Sequence, residues 1–145
     1  MNRTLIMRIA LWIGAFFNFG AALMFIFPVS LGQIAGLPAS GSLFYNWLLA
    51  LFIGLFGAAY AWLARRPQID RSLVGLAIIG KMGVFAVALA SWLVGVIPFR
   101  GFVVAVGDLI FGIIFWWWLR GELGVLRATP PSNPAVEPKR KVMMQ

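Results

Sequence analysis

Two ionisable residues lie within long apolar runs of this sequence, Lys81 in the third run and Asp108 in the fourth. An ionised group at bilayer depth is destabilising by about 3 kcal/mol or more, so such groups face a bundle interior or a cavity and have a partner there. Amines and carboxylates in that setting relay protons, bind the polar part of a ligand, or hold helices together. The sequence therefore predicts a polar centre inside an apolar protein.

Two asparagines lie on stripes of small residues, which mark the faces where membrane helices approach closely. The small residues around Asn18 are Gly14, Ala15, Ala21 and Ala22, and those that follow Asn46 at helical spacing are Ala50, Gly54, Ala58 and Ala61. We predict that both asparagines point into the bundle. They either form interhelical hydrogen bonds that fix the packing or, with Tyr60, Lys81 and Asp108, contact a ligand or a partner protein.

The depths of the two ionisable residues do not assure a direct contact between them. A rise of 1.5 Å per residue leaves roughly 9 Å between Lys81 and Asp108 in a bilayer core of about 30 Å. Side chains also lean toward the N-terminus of their own helix, which moves these two apart. We therefore expect Asp108 to lie nearer Asn46 or Asn18. Lys81 is expected to extend toward the cytoplasmic boundary or backbone carbonyls, unless its stem curves to bridge the gap.

Other reactive groups are scarce. The sequence has no histidine and no cysteine, so it lacks the usual haem and zinc ligands, a thiolate nucleophile and the base of a serine triad. We predict no metal site, no cofactor and no catalytic residue. Acid–base chemistry on an apolar substrate, by Asp108, Tyr45, Tyr60 or Lys81, stays open as an alternative.

The composition indicates a membrane protein, because 62% of the 145 residues are hydrophobic and only 11% are charged. Four continuous apolar runs are predicted at residues 6–27, 43–64, 73–97 and 102–119, and each is long enough to cross a bilayer, which takes roughly 20 residues. They lack the alternation of barrel strands. We predict an all-α integral membrane protein with one four-helix transmembrane domain, residues 1–120. A disordered basic tail, residues 121–145, follows it.

Basic residues predict the orientation of these helices. They lie before the first run, between the second and third, and after the fourth, whereas only Arg100 lies on the other side. Both termini are therefore predicted to be cytoplasmic. The net charge of +8 is interpreted as this topology signal and not as a nucleic-acid surface. The uncharged loop that begins at Pro28 is either a short interfacial turn covering the outer end or a mobile loop.

The overall plan resembles that of small bacterial DoxX-like membrane proteins, over about residues 5–120. The resemblance lies in the loop from Pro28 to Pro38, the stretch GAAYAWLARRP, the pair Gly80-Lys81 and the triplet Gly107-Asp108-Leu109. It implies a four-helix bundle in the bacterial inner membrane. Some such proteins are suggested subunits of redox complexes, but no residue of this chain could itself carry an electron.

Three functions are compatible with these features. The leading hypothesis is an accessory or structural subunit of a larger membrane complex, which packs through glycine-rich helix faces. The second is a binder, or an isomerase-type enzyme, of an apolar small molecule such as a quinone, sterol or lipid. The third is a small proton-coupled transporter that works as a homo-oligomer, with Asp108 and Lys81 exchanging protons.

Overall fold

The computed structural model describes residues 2–37 and 42–128, and within them the chain is helical with no strand. Four long helices, each long and apolar enough to cross a membrane, make up most of these described residues. They are α1 (Arg3–Ile26), α3 (Leu43–Arg65), α4 (Arg71–Leu93) and α5 (Phe99–Ala128), and the short helix α2 (Gln33–Ala35) lies between the first two. The predicted all-α class with four membrane-spanning helices is confirmed.

Polar side chains fix where the long helices begin and end. The Asn2 side chain accepts a hydrogen bond from the Thr4 amide at 3.1 Å, and Asp70 accepts from the first amides of α4 at 2.8 and 3.1 Å. Both therefore act as N-caps. At the C-terminus of α3, the Arg8 guanidinium donates to the carbonyl oxygens of Ala64, Arg66 and Pro67 at 2.6–2.9 Å. This arginine thus ties α1 to the end of α3.

The observed helix ends differ from the predicted ones in α4 and α5. Helix α4 occupies Arg71–Leu93 in place of 73–97, and α5 begins at Phe99, three residues early. Helix α5 also continues to Ala128, so the start of the predicted tail is helical, while residues 129–145 of that tail lie outside the described residues. A 3.1 Å salt bridge between Arg71 and Glu122 fixes this extension against α4.

The four helices pack as two antiparallel pairs, α1 with α3 and α4 with α5, and a smaller contact between α1 and α5 joins the pairs. Helices α3 and α4 pack far less closely in the described part of the chain. Gly57 is the close-approach glycine of α3, because a methyl group there would lie 3.0 Å from the Phe19 ring and 3.3 Å from the Ala15 carbonyl oxygen. Gly54, predicted to belong to the packed stripe, has no atom within 4 Å of that position.

The two ends of the bundle differ in chemistry. One end, called here the basic end, carries Arg3, Arg8, Arg65, Arg66, Arg71 and Arg120; the other, the loop end, is formed by residues 27–37 and 94–98. At the loop end a π-helical turn, Pro28–Gly32, leads into α2, so this segment begins with a short helical turn. Gly36, with φ of 75°, approaches the start of α5 so closely that a side chain there would overlap Arg100.

Candidate functional site

Lys81 and Asp108 meet in the middle of the bundle. The Lys81 Nζ lies 2.5 Å from Asp108 Oδ1 and 2.6 Å from the Asn18 side-chain oxygen. Only 4% of Lys81 and 8% of Asp108 is exposed. One amine from α4, one carboxylate from α5 and one amide from α1 thus form a single hydrogen-bonded group, which we call the polar centre.

The expectation that Lys81 extends toward the cytoplasmic boundary or backbone carbonyls is wrong, and the alternative, a lysine stem that bridges to Asp108, is what the structure shows. Along α4, Lys81 is about 18 Å from the loop end, and along α5, Asp108 is about 14 Å from it. The axial separation is therefore about 4–5 Å, which a lysine stem spans. The larger estimate of about 9 Å arose because α5 begins three residues, or about 4.5 Å, earlier than hydropathy alone indicates.

Two glycines of α5 make room for neighbouring side chains on either side of Asp108. A methyl group at Gly107 would lie 2.7 Å from the Phe17 ring of α1, and one at Gly112 would lie 2.7 Å from the Met82 side chain of α4. A larger residue at Gly107 would require the Phe17 ring to shift, whereas one at Gly112 would displace the flexible end of the Met82 side chain. The absence of side chains at these two glycines therefore lets Phe17 and Met82 pack against α5 on either side of Asp108.

Aromatic rings surround the ammonium group. The Lys81 Nζ lies 5.1 Å from the ring centre of Phe17 and 5.6 Å from the ring centres of Tyr60 and Phe111. Tyr60 itself is buried and packs edge-on against Phe115 at 5.6 Å. Ring faces at this distance attract a cation. They add a second source of stabilisation for the ammonium besides the carboxylate.

The polar centre faces a cavity of about 560 Å³ between the α1–α3 pair and the α4–α5 pair. On α4 the cavity wall runs from Ile79 to Ser91, a length of about 18 Å. Most of the wall is apolar, and Lys81 and Asp108 are its charged members among the described residues. The cavity is thus an apolar chamber with a polar inner end and an overall charge of zero.

The cavity opens sideways between α3 and α4, where Leu49 and Phe56 of one helix and Val87 of the other are exposed. Phe56 crosses the gap beside Lys81, since a methyl group at Gly80 would lie 3.8 Å from its ring. An exposed apolar surface of a membrane-spanning helix faces lipid acyl chains. The opening therefore connects the polar centre with the interior of the bilayer.

The structure brings together four of the five candidate site residues. Asn18, Tyr60, Lys81 and Asp108 line the cavity, whereas Asn46 is buried on α3 but is not part of the cavity wall. Sequence reasoning overlooked Phe56 and Ser91. Ser91 follows Lys81 by ten residues, close to three helical turns, so its position on the same face of α4 could have been found from periodicity.

Tyr45, the other residue considered for acid–base chemistry, is 68% exposed and is absent from the cavity wall. Within the described residues, no three His, Cys, Asp or Glu side chains lie close enough together to hold a metal ion. Comparison of the chain with models of protein families, with curated proteins and with solved structures gave no match. The polar centre and its cavity are the features from which a function can be inferred.

Proposed function

We propose that the protein binds an apolar small molecule, such as a quinone, a sterol or a lipid, in the lateral cavity. The observation that carries the proposal is a chamber of about 560 Å³ with apolar walls and a hydrogen-bonded polar centre at its inner end. Small-molecule sites have this volume and this arrangement, in which a few polar groups orient an otherwise apolar ligand.

The polar centre has hydrogen-bonding capacity left for a ligand. The Lys81 ammonium has three protons, of which Asn18 and Asp108 accept two. The remaining proton can be donated to a ligand carbonyl or hydroxyl oxygen. The Asp108 carboxylate has further lone pairs that can accept from a ligand hydroxyl. A head group with both a donor and an acceptor would therefore use both members of the pair.

Access from the bilayer supports the proposal as well. The mouth between α3 and α4 is apolar, so a ligand would reach the polar centre by moving laterally out of the acyl chains. Such a ligand would be concentrated in the membrane before it binds, which favours occupancy of a site of modest intrinsic affinity. Phe56, beside Gly80, is the side chain that a ligand would pass on its way in.

The test is native mass spectrometry of the protein released from its membrane by mild detergent. We expect a bound mass in the range of membrane-soluble small molecules. Gly80→Leu, which places a side chain at the mouth, should abolish the adduct. Gly75→Leu is the matched control, because Gly75 lies on the same helix outside the cavity wall and has no atom within 4 Å. No adduct on the unmodified protein, or equal adducts on both variants, would refute the proposal.

The accessory-subunit hypothesis stays as a second proposal, supported by a different observation. Gly20 of α1 and Gly54 of α3 lie outside the cavity wall, at positions where an added methyl group would meet nothing within 4 Å. Membrane helices associate through such small residues, so these positions offer backbone surface to a partner. In the same mass spectra, a fixed set of larger subunits would favour this role, and a homo-oligomer would favour the transporter hypothesis.

We also propose an orientation in the membrane, a cellular location and a family for this protein. Six arginines at the basic end support a cytoplasmic location for both termini by the positive-inside rule. Three of them lie over tryptophan rings at 4.2–4.6 Å, an arrangement suited to the membrane–water interface. We place the protein in a bacterial inner membrane, among DoxX-like proteins, on the strength of the resemblance in sequence.

A further inference from the structure

We infer that the cavity selects amphiphiles whose polar head is uncharged, and that it rejects both anionic and cationic heads of the same chain length. This inference names the class of ligand that the cavity takes, so it rests on the proposal that the cavity is a ligand-binding site. The observations behind it are the charge balance of the polar centre, its depth in the bundle and the composition of the cavity wall.

Charge balance is the first argument. Lys81 and Asp108 neutralise each other at 2.5 Å, and the other polar groups in the described cavity wall, among them Asn18, Tyr60 and Ser91, are neutral types. A charged head would therefore enter a site whose described wall offers no spare opposite charge. To gain a partner it would have to separate the existing pair, which would leave one of the two residues buried and uncompensated.

Depth is the second argument. Lys81 lies about 15 Å along α4 from Arg71 and about 18 Å from Leu93, close to the middle of the helix. An amphiphile with an ionised head keeps that head at the membrane–water interface, because moving it to the bilayer centre removes its hydration. A hydroxyl or carbonyl head loses much less, and Lys81 and Asp108 replace the hydrogen bonds that it gives up.

The wild-type protein can be tested with three molecules that share one C18 alkenyl chain: oleyl alcohol, oleyl sulfate and oleylamine. At neutral pH their heads are neutral, anionic and cationic. Each is titrated into the purified protein in mild detergent, and occupancy is measured by native mass spectrometry. Only the occupancy lost in Gly80→Leu is counted, which removes adsorption to the surface. We expect the alcohol to bind at least about tenfold more tightly than either charged analogue.

Charge-deletion variants provide a sharper test, because each should accept the head group that replaces the missing charge. Lys81→Ala leaves the Asp108 carboxylate without its ammonium and opens space beside it, so oleylamine should become the preferred ligand. Asp108→Ala leaves Lys81 unpaired, so oleyl sulfate should be preferred. Arg120→Ala is the matched control, since it removes one positive charge from the exposed basic end and should leave the order unchanged.

The outcomes separate the inference from the proposed function. Preference for the alcohol in the wild type, with reversal in the two variants, supports the inference. Equal or tighter wild-type binding of either charged analogue overturns the inference while leaving ligand binding intact. Absence of cavity-dependent binding for all three overturns both. The wild-type comparison decides the matter even where a charge-deletion variant fails to fold.

Discussion

Replacing both Lys81 and Asp108 with apolar residues should leave the free energy of unfolding nearly unchanged, whereas replacing either residue alone should lower it. Lys81→Met removes the ammonium and leaves the Asp108 carboxylate buried among Phe17, Tyr60 and Phe111. Asp108→Leu leaves the ammonium in the same place, with the Asn18 oxygen as its remaining hydrogen-bond acceptor. Each single variant therefore buries a charge that has lost its counterion.

The magnitude follows from the burial of both groups. Removing one partner of a buried ion pair lowers the free energy of unfolding by about 3–5 kcal/mol. A lone charge at the centre of a membrane helix gives a similar value, about 3 kcal/mol. The double variant Lys81→Met/Asp108→Leu buries no charge, so we expect it to unfold within about 1 kcal/mol of the wild type. The double variant should thus lose about 5–9 kcal/mol less than the sum of the single losses.

Reversible unfolding in dodecyl maltoside micelles titrated with SDS measures these differences. The seven tryptophans of the chain report the loss of packing by fluorescence. Two results would refute the reasoning: single variants that each lose less than about 1 kcal/mol, or a double variant that loses the full sum. The first would mean that neither group is buried as a charge, and the second that the two residues act independently.

Three further predictions concern packing, capping and orientation. Gly57→Val should lower the free energy of unfolding by about 1–3 kcal/mol through overlap with α1, whereas Gly54→Val should not, as measured by the same titration. Arg8→Met should lower the free energy of unfolding by about 2 kcal/mol, because it removes three hydrogen bonds to the end of α3. Arg8→Lys should restore less than half of that loss, because a lysine lacks the planar guanidinium that donates to several carbonyls at once. Because the chain has no cysteine, a membrane-impermeant thiol reagent added to intact cells should label Ser30→Cys and spare Ser72→Cys; the opposite pattern would reverse the orientation.

The helices could be predicted from sequence because bilayer thickness imposes a length on apolar runs. Hydropathy does not, however, show how far a helix continues beyond its apolar run, because Arg, Glu and Leu are all good helix formers. Helix α5 therefore extends nine residues past the predicted limit at 119. The start of α4 carried a visible signal, the N-cap Asp70, and its use would have brought the predicted depth of Lys81 closer to the observed one.

The burial of Asn18, Asn46, Lys81 and Asp108 was also predictable, because polar groups in apolar helices avoid lipid. The cavity could not be predicted in the same way. Its position depends on which helices pack together, and a stripe of small residues indicates the packed face of a helix but not which other helix packs against it. On α3 the sequence offers Gly54 and Gly57 on overlapping stripes, and only the packing against Phe19 shows that Gly57 is the contact.

Stability alone does not account for a charged pair at this position. An apolar pair of similar volume would hold α4 against α5 at least as well, because it would avoid the loss of hydration that both ions suffer on burial. What the charged pair adds is a proton donor and acceptor sites at the inner end of a cavity that opens to the bilayer. The double variant separates these roles. If it folds stably and no longer binds oleyl alcohol, the pair belongs to the ligand site; if it binds as the wild type does, the pair serves packing and the ligand is held by the apolar walls.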